Sequence, residues 1–88
     1  MFEWDKNKAA LNERKHGVAF ADTFGVFEDP YAITVEDTGG AESRHVTIGM
    51  DGFGRLLVVV YAWRGNRIRI ISARKAARSE TRDYESEL

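Results

Sequence analysis

From Leu56 to Trp63 the chain reads Leu-Leu-Val-Val-Val-Tyr-Ala-Trp, its longest run without a polar residue. The run is far short of the roughly 18 apolar residues that a membrane helix needs. Side chains alternate between the faces of a strand, so a strand that is apolar at every position must be covered on both sides. The segment from Arg55 to Trp63 is therefore expected to be a central strand, with neighbours on both edges. Asp51-Gly52-Phe53-Gly54 precedes it as a turn. Gly65-Asn66 follows as the tight turn of a hairpin, and Arg67 to Ala73 returns beside it.

The remaining elements arrange themselves around that strand. Arg44 to Met50 alternates, with Arg44, Val46, Ile48 and Met50 on one face and His45 and Thr47 on the other. Tyr31 to Glu36 alternates as well, and Asp37-Thr38-Gly39-Gly40 is a loop. Phe2-Glu3-Trp4 reads as a short strand. Asp5 is a suitable N-cap for a helix through Lys15, which Gly17 stops in a left-handed conformation. Phe20, Phe24 and Phe27 predict a second helix with one aromatic stripe, which Gly25 weakens and Asp29-Pro30 ends. Helical composition resumes at Ala76, with Glu80, Asp83, Tyr84 and Glu87 on neighbouring turns. The order β-α-α-β-β-β-β-α describes one α+β domain over residues 1–88, with a meandering antiparallel sheet packed by helices.

Composition narrows the functional classes. With 43% apolar and 31% charged residues the chain is neither disordered nor fibrous. It has no cysteine, which excludes a disulfide framework, a zinc ribbon and a thiol nucleophile. No His/Asp/Glu cluster has ligand spacing, so neither a metal nor another cofactor is expected. The opening Met1-Phe2-Glu3-Trp4-Asp5 lacks the pattern of a secretion signal, so a soluble cytoplasmic protein with no membrane contact is expected.

The net charge of −1 conceals a division: residues 1–43 carry −5, residues 44–82 carry +7 and the last six carry −3. Eight of the nine central cations are arginines, whose forked guanidinium suits phosphate oxygens. A basic half on an acidic frame fits a small nucleic-acid-handling domain; surface arginines paired to the acidic half fit the same numbers. Strict alternation places Arg67 and Arg69 on one face of the last strand, and Ile68, Ile70, Ser72 and Arg74 on the other. Arg74 then needs a carboxylate, a sheet edge or a ligand. Tyr61 and Trp63 share the face of Leu57 and Val59 and are expected in the core. His16, before the helix-ending glycine, suits the negative helix end. His45, beside Arg44, is a candidate acid or base near neutral pH.

Several segments in order along nearly the whole chain carry a family pattern. They are Phe2-Glu3-Trp4-Asp5, Lys15-His16-Gly17-Val18, Val26-Phe27-Glu28-Asp29-Pro30, Arg44 with Thr47-Ile48-Gly49, and Arg69-Ile70-Ile71-Ser72-Ala73-Arg74-Lys75-Ala76. With them the chain resembles the BrnT family of bacterial toxins. That resemblance implies a RelE-like fold and a metal-independent endoribonuclease of a type II toxin–antitoxin system that arrests translation. It implies a BrnA-like ribbon-helix-helix antitoxin in a 2:2 complex, which binds operator DNA through the antitoxin, and an RNA substrate, either free or on the ribosome. Carried over by position, Arg44, Arg64 and Arg74 are the expected transition-state stabilisers. Lys75 and Tyr84 are candidates for proton transfer or positioning, and Glu80 for base or orienter. Arg67, Arg69, Arg78 and His45 are expected to bind RNA. These guanidinium groups are expected to converge on one phosphodiester. His45 stands where the family pattern suggests an aromatic residue, and Ala77 where it often has a capping threonine. The alternative is a non-catalytic module that keeps the fold and binds RNA or a partner protein.

Overall fold

The computed structural model describes every residue except Ala41 and Glu87, so the expected helical position of Glu87 lies outside the described residues. The elements are β1 (Phe2–Glu3), α1 (Lys6–His16), a 3-10 helix (Phe20–Glu28), β2 (Ile33–Asp37), β3 (Arg44–Met50), β4 (Leu56–Arg64), β5 (Arg67–Lys75) and α2 (Arg78–Glu85). The strands form one sheet in the order β1-β5-β4-β3-β2, which places the apolar β4 at its centre. The sheet is mixed and not wholly antiparallel, because β1 joins β5 in parallel, with Phe2 opposite Ile68 and Glu3 opposite Arg69.

Local chemistry explains the boundaries. The Asp5 carboxylate accepts from the Lys8 N–H at 2.9 Å and starts α1, and Gly17 ends it at φ 72°. Gly65 takes φ 63° at the β4–β5 turn. The first residue of α2 follows Ala77, whose methyl group accepts no hydrogen bond. The Glu80 carboxylate instead accepts from the Ala77 N–H at 2.7 Å, so one half of a capping box is made.

The second helical segment is a 3-10 helix, and its burial shows why. Phe20, Thr23 and Val26 are the buried residues, at intervals of three, as a helix with three residues per turn requires. Thr23 donates its hydroxyl to the Phe20 carbonyl at 2.7 Å. The stripe of Phe20, Phe24 and Phe27 is therefore not one buried face: Phe24 stacks on Phe2 at 4.3 Å and Phe27 meets Tyr61 edge-on at 4.9 Å. Gly25 is needed for close approach, since a Cβ there would lie 2.7 Å from the Gly52 backbone nitrogen. Gly25→Ala is expected to cost about 2 kcal/mol by overpacking, more than the ordinary glycine-to-alanine helix gain returns, as urea unfolding will measure.

Val18, Phe20 and Val26 close over Leu57, Val59, Tyr61, Ile68 and Ile70 to make the core on one face of the sheet. Asn12 sits at its edge, 7% exposed, with its amide bonded to the nitrogen and oxygen of Ala73 and to the Val18 carbonyl. The amide thus takes the place of a strand neighbour at a point that the two-residue β1 does not reach. Tyr61 is buried as expected, but Trp63 is 51% exposed, because it lies beside the hairpin turn at the rim of the sheet.

Candidate functional site

The position of Arg74 depends on one irregularity in β5. Tyr61 pairs with Ile70, yet its neighbour Val60 pairs with Ser72, so Ile71 is an extra residue, a β-bulge. Every residue after the bulge changes face relative to strict alternation. Arg74 lies opposite Val58 and Arg69 opposite Ala62, and Val58, Val60, Ala62 and Arg64 alternate along one face of β4. Arg74 is thus on the same face as Arg64, Arg67 and Arg69, not with Ile68 and Ile70. Val46 pairs with Val60, so Arg44, two residues earlier, shares that face as well. Five arginines line the side of the sheet opposite the buried core.

They form two groups and do not meet at one point. Arg64 is six residues along β4 from Val58, the partner of Arg74, which separates the two arginines by about 20 Å of strand. Arg44 and Arg69 flank Ala62 at the hairpin end, joined there by Arg64 and Arg67. The far end holds Arg74, with Arg78 at the first position of α2. Lys75 is opposite Leu57 and points to the core side of the sheet, where it is exposed. The expected convergence of all the guanidinium groups is corrected to two stations on one face.

Carboxylates stand beside most of these cations. Arg64 pairs with Glu42 at 3.0 Å, Arg69 and Arg67 with Glu3 at 3.0 and 3.6 Å, and Arg74 with Glu80 at 2.7 Å. Arg44 faces Asp37 across β2 and β3. Among the described residues Arg44, Lys75 and Arg78 make no ion pair. Glu3 and Glu42 escape a reading of the sequence because their roles follow from the parallel docking of β1 and from a loop contact; the alternation in Phe2-Glu3-Trp4 is the one signal for Glu3.

Arg74 and Glu80 form a two-pronged pair, Nη1 to Oε1 at 2.8 Å and Nη2 to Oε2 at 2.7 Å. These bonds, helped by the Ala77 N–H and opposed by burial, hold the Glu80 carboxyl down at about 2. The same pair raises Arg74 above the ordinary arginine value. Glu80 is therefore an ionised acceptor with both oxygens engaged, a poor site for taking a proton. Tyr84 is 5% exposed and donates its hydroxyl to Asp29 at 2.6 Å. That bond, with burial, pushes the phenol up to about 12. Burial opposes ionisation of Asp29, but the bonds from Tyr84 and from the backbone N–H groups of Met50 and Tyr31 outweigh it and lower its pKa. The two contacts tie α2 to the sheet and to the end of the 3-10 helix.

A carboxyl depressed in the folded state adds stability above its ordinary pKa, near 4.5, and loses it as pH falls through about 2. The wild-type chain is thus expected to exceed Glu80→Gln in urea midpoint at pH 7, with the gap shrinking between about pH 5 and pH 2. An undiminished gap at pH 2.5 would contradict the pairing.

His45 lies on the core side of β3, opposite Tyr61, and so on the reverse face from Arg44. Its ring stacks on Tyr61 at 5.6 Å, Nε2 lies 3.9 Å from Glu36, and Nδ1 is buried without a hydrogen-bond partner. It is not brought together with the arginines. His16 is the last residue of α1, in a final turn with Arg14 and Lys15. Among the described residues no group of three or more His, Asp or Glu side chains is placed to hold a metal. A groove of about 440 Å³ between α1 and β5 is lined by Lys8, Leu11, Lys15 and Ile71, among others, and none of the five arginines borders it.

The chain as a whole is similar to known proteins. Residues 4–80 match the family model described as the ribonuclease toxin, BrnT, of type II toxin–antitoxin systems. The crystal structure of the Brucella abortus ribonuclease toxin BrnT is similar, with a TM-score of 0.69 and 28% sequence identity over 89% of this chain and 99% of that one. No curated protein matches the chain. A family match over most of the length, with the same α+β architecture in a solved relative, settles the assignment: this chain belongs to the BrnT family of ribonuclease toxins of type II toxin–antitoxin systems.

Proposed function

We propose that the chain is a metal-independent endoribonuclease that cuts RNA in the cytoplasm and so arrests translation. The observation that carries this reading is the bulge at Ile71, which puts Arg74 on the same face as Arg44, Arg64, Arg67 and Arg69. A strand of RNA lying along that face meets cations at both ends of it. Arg74, aimed by Glu80 and with Arg78 close in the chain, meets the scissile phosphate; the hairpin group holds flanking phosphates.

In the reaction the ribose 2′-oxygen bonds to the adjacent phosphorus as its proton leaves to a base. The bond from phosphorus to the 5′-oxygen then breaks, and that oxygen takes up a proton. The products are a 2′,3′-cyclic phosphate and a 5′-hydroxyl. The pentavalent intermediate carries extra negative charge, which a prepositioned guanidinium stabilises. Glu80 acts by orienting Arg74, and Tyr84 by anchoring α2. An antitoxin of the BrnA-like, ribbon-helix-helix kind neutralises the toxin by covering the arginine face in a 2:2 complex, and operator DNA is bound through the antitoxin. The RelE-like fold that the family resemblance implies belongs to this reading.

Incubation of the purified chain with total RNA in EDTA tests it: fragmentation is expected, and addition of the antitoxin should stop it. A second reading rests on the carboxylates beside Arg64, Arg67, Arg69 and Arg74, which suit a module that binds RNA or its partner without cutting. Salt-sensitive binding with intact RNA would favour that module.

A further inference from the structure

We propose that Trp63 is a stacking platform for an unpaired base of the RNA, so that the substrate is single-stranded on the side of the cut that reaches the hairpin. This rests on the ribonuclease reading and extends it to a second contact away from Arg74. Trp63 is 51% exposed although it belongs to the most buried strand of the fold. Trp4, the other tryptophan, packs against Phe20 and Phe24 with ring centroids 6.1 and 6.0 Å away. Among the described residues Trp63 meets no aromatic ring and no cation in this way. A half-exposed indole gives up burial that the fold uses elsewhere, and a lone apolar side chain on a surface is by itself ordinary.

What singles out Trp63 is its company. It adjoins Arg64 and lies across the turn from Arg67, whose side chains are 51% and 65% exposed. Consecutive residues leave opposite faces of a strand, so indole and guanidinium groups bracket the hairpin end of β4 and β5. A nucleic-acid strand crossing that end keeps its phosphates on the arginine side and turns a base onto the indole. Stacking on an aromatic face beside cations is how single strands are held without reading sequence. A duplex cannot use the platform, because its bases are already stacked on one another. Trp63 lies five residues along β4 from Val58, which puts the platform about 17 Å of strand from the level of Arg74. The stacked base therefore flanks the scissile position by a few nucleotides.

The test uses a 2′-O-methyl oligonucleotide, which lacks the attacking hydroxyl and stays intact, as a single strand and annealed to its complement. The single strand is expected to quench tryptophan fluorescence in the wild type and in Trp4→Phe, but not in Trp63→Phe. By anisotropy of a labelled strand, Trp63→Ala should bind roughly tenfold more weakly, and Trp63→Phe should recover part of the loss. The duplex should quench neither tryptophan. A Trp63→Ala chain that binds the single strand as tightly as wild type overturns the platform and leaves the ribonuclease reading standing. A wild-type chain that binds no single strand overturns both.

Discussion

Replacing Arg74 by alanine is expected to slow RNA cleavage by about 100- to 1000-fold, the usual cost of deleting one prepositioned donor to a charge that grows in the transition state. The loss should fall on the chemical step more than on affinity, because the cations at the hairpin end still hold flanking phosphates. Stability should change little. The Arg74 side chain is 41% exposed, and pairs exposed to that degree contribute at most about 1 kcal/mol. Glu80 also keeps the Ala77 N–H as a partner when the guanidinium is gone. Arg74→Lys retains charge without the two-pronged fork, so it should restore only a minor part of the rate. Single-turnover cleavage beside thermal melts of the three proteins separates these effects. Wild-type turnover by Arg74→Ala would remove Arg74 from the chemistry.

The second large effect is on stability. Asn12→Ala should destabilise the fold by about 3 kcal/mol, because it removes three hydrogen bonds and strands buried backbone groups of Ala73 and Val18. In a domain of this size that corresponds to a fall of roughly 12–25 °C in Tm. Asn12→Asp should be no better at neutral pH, since a carboxylate would face two carbonyl oxygens in a buried site. The loss also reaches the site: Ala73 precedes Arg74, so the amide fixes the edge of the strand from which that guanidinium projects. A Tm within a few degrees of wild type for Asn12→Ala would show that the latch is dispensable.

Some of this molecule was legible before any coordinates. Leu56 to Trp63 announced a central strand because no other strand position tolerates apolar side chains on both faces. Asp5 and Gly17 marked the ends of α1 because each satisfies a backbone requirement of its own. The decisive feature of the site was not legible. Nothing in Ile70-Ile71-Ser72 signals a bulge, since a bulge is settled by how β5 meets β4, and a count of two per repeat then assigns Arg74 to the wrong face. The phenylalanine spacing suggested a period near 3.6, but burial follows Phe20, Thr23 and Val26 because the Gly25 backbone must approach the Asp51-Gly52 turn. Asn12 looked like one polar residue in a polar helix, and its partner Ala73 is 61 positions away. The charge division exposed the basic half of the chain without showing that Glu3, Glu42 and Glu80 would stand against it.

The ends of the cleaved RNA report most directly on whether the arginine face carries out 2′-hydroxyl attack. Single-stranded RNA treated with the purified chain in EDTA should yield fragments with 2′,3′-cyclic phosphate and 5′-hydroxyl ends, and Arg74→Ala should yield almost none. Intact RNA, or fragments with 5′-phosphates that form only when magnesium is supplied, would contradict it.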